Sequence, residues 1–219
     1  MSPDLPVVDP PPDAETGTRD ATVAGVLLAA GTSSRFGETN KLLADLDGVP
    51  LVRYAGWTLA RGAVDPLVAV VGADGERVAA ALEGLGFAVV ENRAYESGQA
   101  TSVRAGVRAL EDARGAVFAL GDMPFVDPGT VDALVAAHRA GLGTALAAAC
   151  NGERGNPVLF DERYFEALTD VSGDVGGREI LLTGGNSVLV ETGDPGVRRD
   201  VDEQADLERA RRELGDQSH

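Results

Sequence analysis

Thr22-Val-Ala-Gly-Val-Leu-Leu-Ala-Ala-Gly31 is the stretch from which the fold is read. Val23–Ala30 is a continuous apolar run stopped by a glycine, and such a run, without polar alternation, marks a strand buried on both faces. A strand of that kind needs a helical layer above and below its sheet. Outward from it, Leu51–Arg61 follows Pro50 with apolar residues at helical spacing, and proline is tolerated at a helix start. Leu67–Val71 predicts a second buried strand, Glu76–Leu85 a short alanine-rich helix closed by Gly86, and Phe87–Val90 a third strand. Gln99–Leu110 reads as a helix with Ala116–Leu120 as the strand behind it, and Pro128–Ala140 as a helix with Gly141 as its C-cap. Thr144–Ala149, Pro157–Phe160 and Ser187–Glu191 are strand candidates; Arg163–Thr169, Gly177–Thr183 and Glu203–Leu214 are helix candidates. The alternation predicts an α/β fold, a Rossmann-like three-layer α/β/α sandwich around a mostly parallel sheet.

Composition narrows the partners. The 219 residues carry 35 acids against 19 bases, a formal charge of −16, which disfavours both a nucleic-acid backbone and an anionic membrane. No apolar run reaches the roughly 18 residues of a membrane helix, and the start has neither the basic nor the apolar region of a secretory signal. With one cysteine, Cys150, there is no internal disulfide, and the chain reads as cytoplasmic. Residues 1–20, with five prolines and five acids, read as a disordered tail, and residues 21–219 as one domain. Of the 19 basic residues only Lys41 is lysine. Acid excess with arginine in place of lysine suggests a salt-rich, halophilic cytoplasm; GC-rich codon usage explains it equally well.

In an open parallel sheet ligands bind beyond the carboxyl ends of the strands, so the loops there carry the chemistry. The first runs Leu28-Ala-Ala-Gly-Thr-Ser-Ser-Arg-Phe-Gly-Glu-Thr-Asn-Lys41. It is neither a Walker loop nor a Gly-x-Gly-x-x-Gly fingerprint. Its small residues let backbone amides approach an anion, Thr32, Ser33 and Ser34 add hydroxyls, and Arg35 and Lys41 are the only positive charges between residues 21 and 52. The plainer reading is a turn with a surface arginine. Leu120-Gly-Asp122-Met-Pro124 ends a buried strand on an acid; Asp122 either holds Mg²⁺ or bonds its own backbone in the turn. Gly98, Thr101 and Ser102 open a helix whose amides face the cleft, with Ser97 a candidate N-cap.

Leu28-Ala-Ala-Gly-x-x-x-Arg35-x-Gly37-x-x-x-Lys41 resembles the signature loop of nucleoside-triphosphate transferases with the nucleotide-diphospho-sugar transferase fold, and within them the MobA-like group, the molybdopterin-cofactor nucleotidyltransferases. The resemblance covers about residues 22–212. It implies that Leu28, Ala29, Ala30 and Gly31 hold base and phosphates, that Arg35 and Lys41 grip the triphosphate, and that Asp122 is the main metal ligand. Asn92-Arg-Ala-Tyr95-Glu-Ser-Gly98 through Ser102 is similar to the Asn-x-x-aromatic-x-x-Gly-x-x-x-Ser stretch of the cytidylyltransferase branch, with tyrosine for its usual tryptophan. By that likeness Asn92, Gly98 and Ser102 join the nucleotide site, Asn92 as a contact to base or sugar. Gly155-Asn156-Pro157-Val-Leu-Phe160 resembles the branch's substrate loop, although Asn156 replaces a frequent histidine. Gly173-Asp174-Val-Gly176-Gly177-Arg178 resembles its Gly-Asp-x-Gly-x-Arg turn, so Asn156, Pro157, Asp174 and Arg178 are placed on the acceptor side. A hairpin glycine and a helix N-cap aspartate explain the same residues equally well. Arg199-Asp200-Val-Asp202 is similar to the family's Asp-Ile-Asp-Thr-Pro-Glu-Asp-Leu close, with Glu203-Gln204-Ala205 for Thr-Pro-Glu, and Asp200 or Asp202 completes the metal shell.

The resemblance therefore implies a Mg²⁺-dependent nucleotidyltransferase that uses a nucleoside triphosphate, CTP first, and a phosphorylated pterin acceptor, the molybdenum cofactor. Transient contact with a molybdoenzyme or its chaperone follows from that acceptor. Other acceptors such as a sugar or polyol phosphate, a guanylyl donor, or a non-catalytic nucleotide-binding protein are the competing readings. His138 and His219 offer no triad or metal cluster, Cys150 is a strand residue, and Trp57 on a helix's apolar face belongs to the core.

Overall fold

A computed structural model describes residues 5–11, 22–32, 36, 39–170 and 177–217. The strands are β1 (Val7–Val8), β2 (Val23–Ala29), β3 (Asp45–Leu46), β4 (Val49–Pro50), β5 (Leu67–Val71), β6 (Ala88–Glu91), β7 (Gly115–Leu120), β8 (Ala145–Cys150), β9 (Glu153–Asp161) and β10 (Ser187–Glu191). The helices are α1 (Leu51–Arg61), α2 (Gly75–Ala81), α3 (Gln99–Arg108), α4 (Pro128–Arg139), α5 (Phe165–Asp170), α6 (Arg178–Thr183) and α7 (Gln204–Gln217). Eight strands form one sheet in the order β1-β10-β8-β9-β7-β2-β5-β6.

Alternate residues of the apolar strands feed two cores. Val23, Leu27 and Ala29 of β2 pack on one face with α1, α2 and α4; Ala24 and Val26 pack on the other with α3, α5 and α6. This is the expected three-layer sandwich, and its central strands are buried on both faces. A third cluster, Phe36, Leu46, Leu51, Val201, Leu207 and Ala210, seats α7 against the β3–β4 hairpin. Cys150 is a buried residue of β8, as expected.

Several elements differ from the sequence reading. β9 begins at Glu153, four residues before the expected start, and pairs antiparallel with both β7 and β8. The cause is the Asn151-Gly152 turn: both residues have positive φ, 55° and 74°, the geometry that reverses a chain within two residues. Val7–Val8, expected in the disordered tail, pair in parallel with β10 and close that sheet edge, whose backbone groups otherwise lack partners. Residues 1–4 and 12–20 of that tail lie outside the described residues. Trp57 is not core. It is half-buried, with the Arg53 and Arg61 guanidinium carbons 5.6 and 5.5 Å from its ring centroid and Tyr54 edge-on at 5.3 Å. Among the described residues no helix is long and apolar enough to cross a membrane.

His138 of α4 and Asp161 are buried together, Nε2 lying 3.0 Å from Oδ2, while Arg163 donates to Asp161 Oδ1 at 2.8 Å. Desolvation alone raises the Asp161 carboxyl, but the hydrogen bonds from Arg163 and His138 outweigh it and hold it below its usual range. A depressed carboxyl contributes stability above its unfolded value and loses it as pH falls through the lower folded value. Asp161→Asn is therefore expected to melt lower than the parent at neutral pH but to lose less melting temperature on acidification below about pH 4. Equal losses in parent and variant over that window would remove Asp161 from the acid transition.

Candidate active site

β5 and β6 lie on one side of β2, and β7 on the other, so the chain reverses its direction of winding between β2 and β7. The crevice at their carboxyl ends is where such a sheet takes its ligand. Gly121 N donates to Leu28 O at 3.0 Å and ties the two outgoing loops together. The first loop is then braced by Asn40, which the sequence reading passes over: its Nδ2 donates to Ala73 O at 3.1 Å and its Oδ1 accepts from Leu42 N at 3.0 Å. This cap starts one 3₁₀ turn, Lys41–Leu43, which buries Leu42 and leaves Lys41 at the cleft.

Lys41 Nζ donates to Asp122 Oδ2 at 2.6 Å and to Asp202 Oδ1 at 2.5 Å. The segment carrying Asp200 and Asp202 is brought there by its backbone, Val201 N donating to Asp122 O at 2.9 Å. Desolvation would lower the Lys41 ammonium, but Asp122 and then Asp202 outweigh it and hold it above its ordinary value, so it stays charged through the neutral range. The other Asp122 oxygen, Oδ1, is buried and has no hydrogen-bond partner among the described residues, so this side chain does not cap its own turn. Desolvation, followed by the charges of Asp202 and Asp122, raises the Asp200 carboxyl.

These groups border a cavity of about 500 Å³ whose walls include Leu28, Ala30, Gly31, Thr32, Lys41, Tyr95, Gly98, Gln99, Ser102 and Asp122. A Cβ on Gly31 would meet no described residue within 4 Å, and Gly31 lines the cavity. Ala29 points the other way, into the core. Asn92 is not among the walls. It is 5% exposed, its Nδ2 donating to Thr101 Oγ1 at 2.8 Å and Ser102 Oγ at 3.0 Å and its Oδ1 accepting from Ala94 N at 3.0 Å. Its amide shapes the start of α3. Gly98, with φ 97°, is the N-cap residue there, so Ser97 is not. Arg35 and Asp174 lie outside the described residues.

A divalent cation fits part of the expected ligand set. The unpartnered Asp122 Oδ1 and the nearby Asp200 carboxyl are oxygen donors of the kind Mg²⁺ or Mn²⁺ takes, one or two carboxylates with water and phosphate completing the shell. Asp202, like Asp122, gives one oxygen to Lys41. Among the described residues no three His, Cys, Asp or Glu side chains converge to hold a metal ion.

A second cavity of about 170 Å³ shares Leu28, Gln99 and Leu120 with the first and collects Asn156 and Arg178 with Phe118, Arg154, Val158 and Phe160. Pro157 is not among the walls of that cavity; with Asn156, Thr58 and Met123 it borders a smaller one. Arg154, Asn156, Val158 and Phe160 are alternate residues of one strand, which is why they share a face. The sequence reading misses Arg154 because it starts that strand at Pro157. At Gly155, between two of them, a Cβ would run into the Val197 carbonyl, so only glycine lets that loop close over the strand.

A mostly parallel sheet with a small-residue loop, a lysine and an aspartate at its switch point has the layout of a nucleotide-transferring α/β protein. The chain belongs to the MobA-like NTP transferase family: residues 25–188 match the MobA-like NTP transferase domain. It is 33% identical over 187 residues to the nicotine blue oxidoreductase of Paenarthrobacter nicotinovorans, 82% of this chain and 92% of that relative. It is 39% identical over 105 residues to a probable molybdenum cofactor guanylyltransferase of Natronomonas pharaonis, 48% of this chain and 51% of that one, so the match spans about half of each. The crystal structure of Rv0371c from Mycobacterium tuberculosis superposes with a TM-score of 0.77 at 27% identity, covering 89% of this chain and all (100%) of that one. Rv0371c has also been crystallised in complex with manganese; that structure gives a TM-score of 0.70 at 26% identity over 87% of this chain and 98% of its own.

Proposed function

We propose that the protein is a cytidylyltransferase that moves CMP from CTP to the phosphate of the molybdenum–molybdopterin cofactor. The observation that carries this reading is Lys41, held as a cation between Asp122 and Asp202 at the edge of a cavity floored by Ala30-Gly31-Thr32. An oxygen of the acceptor phosphate attacks the α-phosphorus in line; the bond from that phosphorus to the β-phosphate bridging oxygen breaks, and pyrophosphate leaves with the electron pair. An ionised phosphate needs no general base, so the protein's contribution is positioning and charge neutralisation. Backbone at Gly31 and the Ser102 hydroxyl receive the donor, Lys41 takes charge developing on the leaving phosphates, and Asn156 and Arg178 receive the acceptor. Asp122 with Asp200 would hold a divalent cation, Mg²⁺ in our reading, which supplies further neutralisation of the triphosphate.

Pyrophosphate release in the presence of molybdopterin cofactor and each of CTP, GTP, ATP and UTP tests the reading; CTP is expected to be turned over fastest. The likeness to an oxidoreductase over 92% of that relative favours a second reading, redox chemistry on a bound substrate. Oxidation of NADH or NADPH with no pyrophosphate release from any triphosphate would select it.

Donor choice is expected to follow Ala30, a cavity wall only 4% exposed. Its methyl crowds a purine more than a pyrimidine, so Ala30→Gly is expected to raise kcat/KM for GTP relative to CTP. Equal use of CTP and GTP by the parent protein would show that Ala30 does not set the choice.

A further inference from the structure

We infer that Arg199 is a positioning residue: stacked on Phe125 and tied to Glu213, it keeps the Asp200 carboxylate beside Asp122, where a divalent cation can take oxygens from both. This deepens the function proposed above by naming what sets its metal site, and rests on that reading. Asp122 lies on the loop between β7 and α4, Asp200 and Asp202 on the segment between β10 and α7. Next to the carboxylates one backbone bond joins the two, Val201 N to Asp122 O. A single bond is a pivot, about which the acids on either side of Val201 can turn. Lys41 bonds Asp122 and Asp202, whereas Asp200 brings a like charge beside them and is pushed outward.

Behind the segment a second contact removes that freedom. Arg199, the residue before Asp200, sets its guanidinium carbon 4.0 Å from the centroid of the Phe125 ring, well inside the roughly 6 Å reach of a cation–π contact. Phe125 is on the same loop as Asp122, so the stack and the Val201 bond fasten loop and segment at two points. Glu213 of α7 keeps the guanidinium on the ring, its Oε2 accepting from Arg199 Nη2 at 2.5 Å. Phe125 packs in turn on the cluster that seats α7 against the β3–β4 hairpin. Both halves of the stack, each half-buried, are therefore held from outside it.

The chain on either side of Arg199 has little slack. Upstream, Asp194 Oδ2 accepts from Asp127 N at 2.9 Å and Thr130 Oγ1 at 2.8 Å, and a Cβ on Gly196 would run into the Phe125 carbonyl. Downstream, Asp206 Oδ2 accepts from Asp202 N at 3.2 Å and Glu203 N at 3.0 Å. The stack sits between these anchors, at the neighbour of Asp200. Charge alone would be a poor reason for a cation there, since it competes with a metal for the same acids. What a guanidinium adds is a flat face and a fixed fork.

Charge and position predict opposite signs, and the free-Mn²⁺ signal in electron paramagnetic resonance reads the sign on the full, nucleotide-free chain. By charge alone, Arg199→Gln would tighten Mn²⁺. It is expected instead to weaken it about tenfold, the scale for losing a group that orients metal ligands. Phe125→Leu leaves every charge in place and is expected to do the same, and the double variant to be no weaker than either, since both remove one contact. Arg199→Lys, charged but not flat, should fall between, and Phe125→Tyr, which keeps the ring, should match the parent. In pyrophosphate release from CTP with the molybdopterin cofactor, the Mn²⁺ concentration for half-maximal rate is expected to rise about tenfold, while the rate at saturating Mn²⁺ stays near the parent's. Melting curves check each fold; if Arg199→Gln unfolds, the two Phe125 variants decide. Mn²⁺ binding that is tighter or unchanged in Arg199→Gln, unchanged in Phe125→Leu, additive in the double variant, or absent from the parent overturns the inference. The expected Mn²⁺ pattern in a chain that releases pyrophosphate from no triphosphate would overturn the nucleotidyl-transfer reading and leave this one standing.

Discussion

Asp122→Asn is expected to lower transfer turnover by on the order of a hundredfold, the cost of removing one preorganised electrostatic element. Asparagine keeps the size of the side chain and its place after β7, held by the Val201 N to Asp122 O bond, which the substitution does not touch. What disappears is the charge beside Lys41 and the buried oxygen, Oδ1, that has no partner among the described residues. Lys41 then retains Asp202, so the fold is expected to survive and the melting temperature to shift little compared with the rate. Pyrophosphate release measured across Mg²⁺ and Mn²⁺ titrations checks this. A parent-like rate at saturating metal would move the metal role to Asp200.

Lys41→Arg is expected to behave nearly like Lys41→Ala, losing on the order of a hundredfold in turnover although the charge is kept. The ammonium sits 2.6 and 2.5 Å from two carboxylate oxygens. Those carboxylates are placed by backbone contacts, Val201 N to Asp122 O and Asp202 N to Asp206 Oδ2, so they cannot part freely for a planar group with several donors. Eighteen of the 19 basic residues are arginine, so this chain uses guanidinium wherever a general cation suffices. Rate, CTP affinity and melting temperature together decide the matter. An arginine variant with parent rate and affinity would make Lys41 an incidental surface lysine.

Much of this site is legible in the residues alone, and the gaps have specific causes. The run Val23–Ala30 and the glycine behind it locate the strand and the cavity floor, because apolar continuity and the lack of a side chain are properties of the residues themselves. Asn92 falls in the right neighbourhood, and its amide binds the start of α3, a contact that its motif does not reveal. Spacing says that a residue is needed there, whereas the direction of its amide depends on Thr101 and Ser102. Trp57 shows the same limit from the other side. Helical spacing puts it on an apolar face, but that face ends at a surface where two arginines, not core side chains, cover the ring.

What the sequence by itself determined is most of the elements of the central sheet and its helices and the strand ends that carry chemistry, since strand and helix periods and the capping residues act over a few neighbours. Only the tertiary structure decided how those ends meet. It placed β9 between β7 and β8 and so brought Arg154, Asn156 and Phe160 to one cavity with Arg178, and it set Lys41 against Asp122 and Asp202, which lie 81 and 161 residues away along the chain. Such pairings depend on the order in which strands join the sheet and on the burial that closes it. Those are properties of the whole packed chain, and no local window of residues contains them.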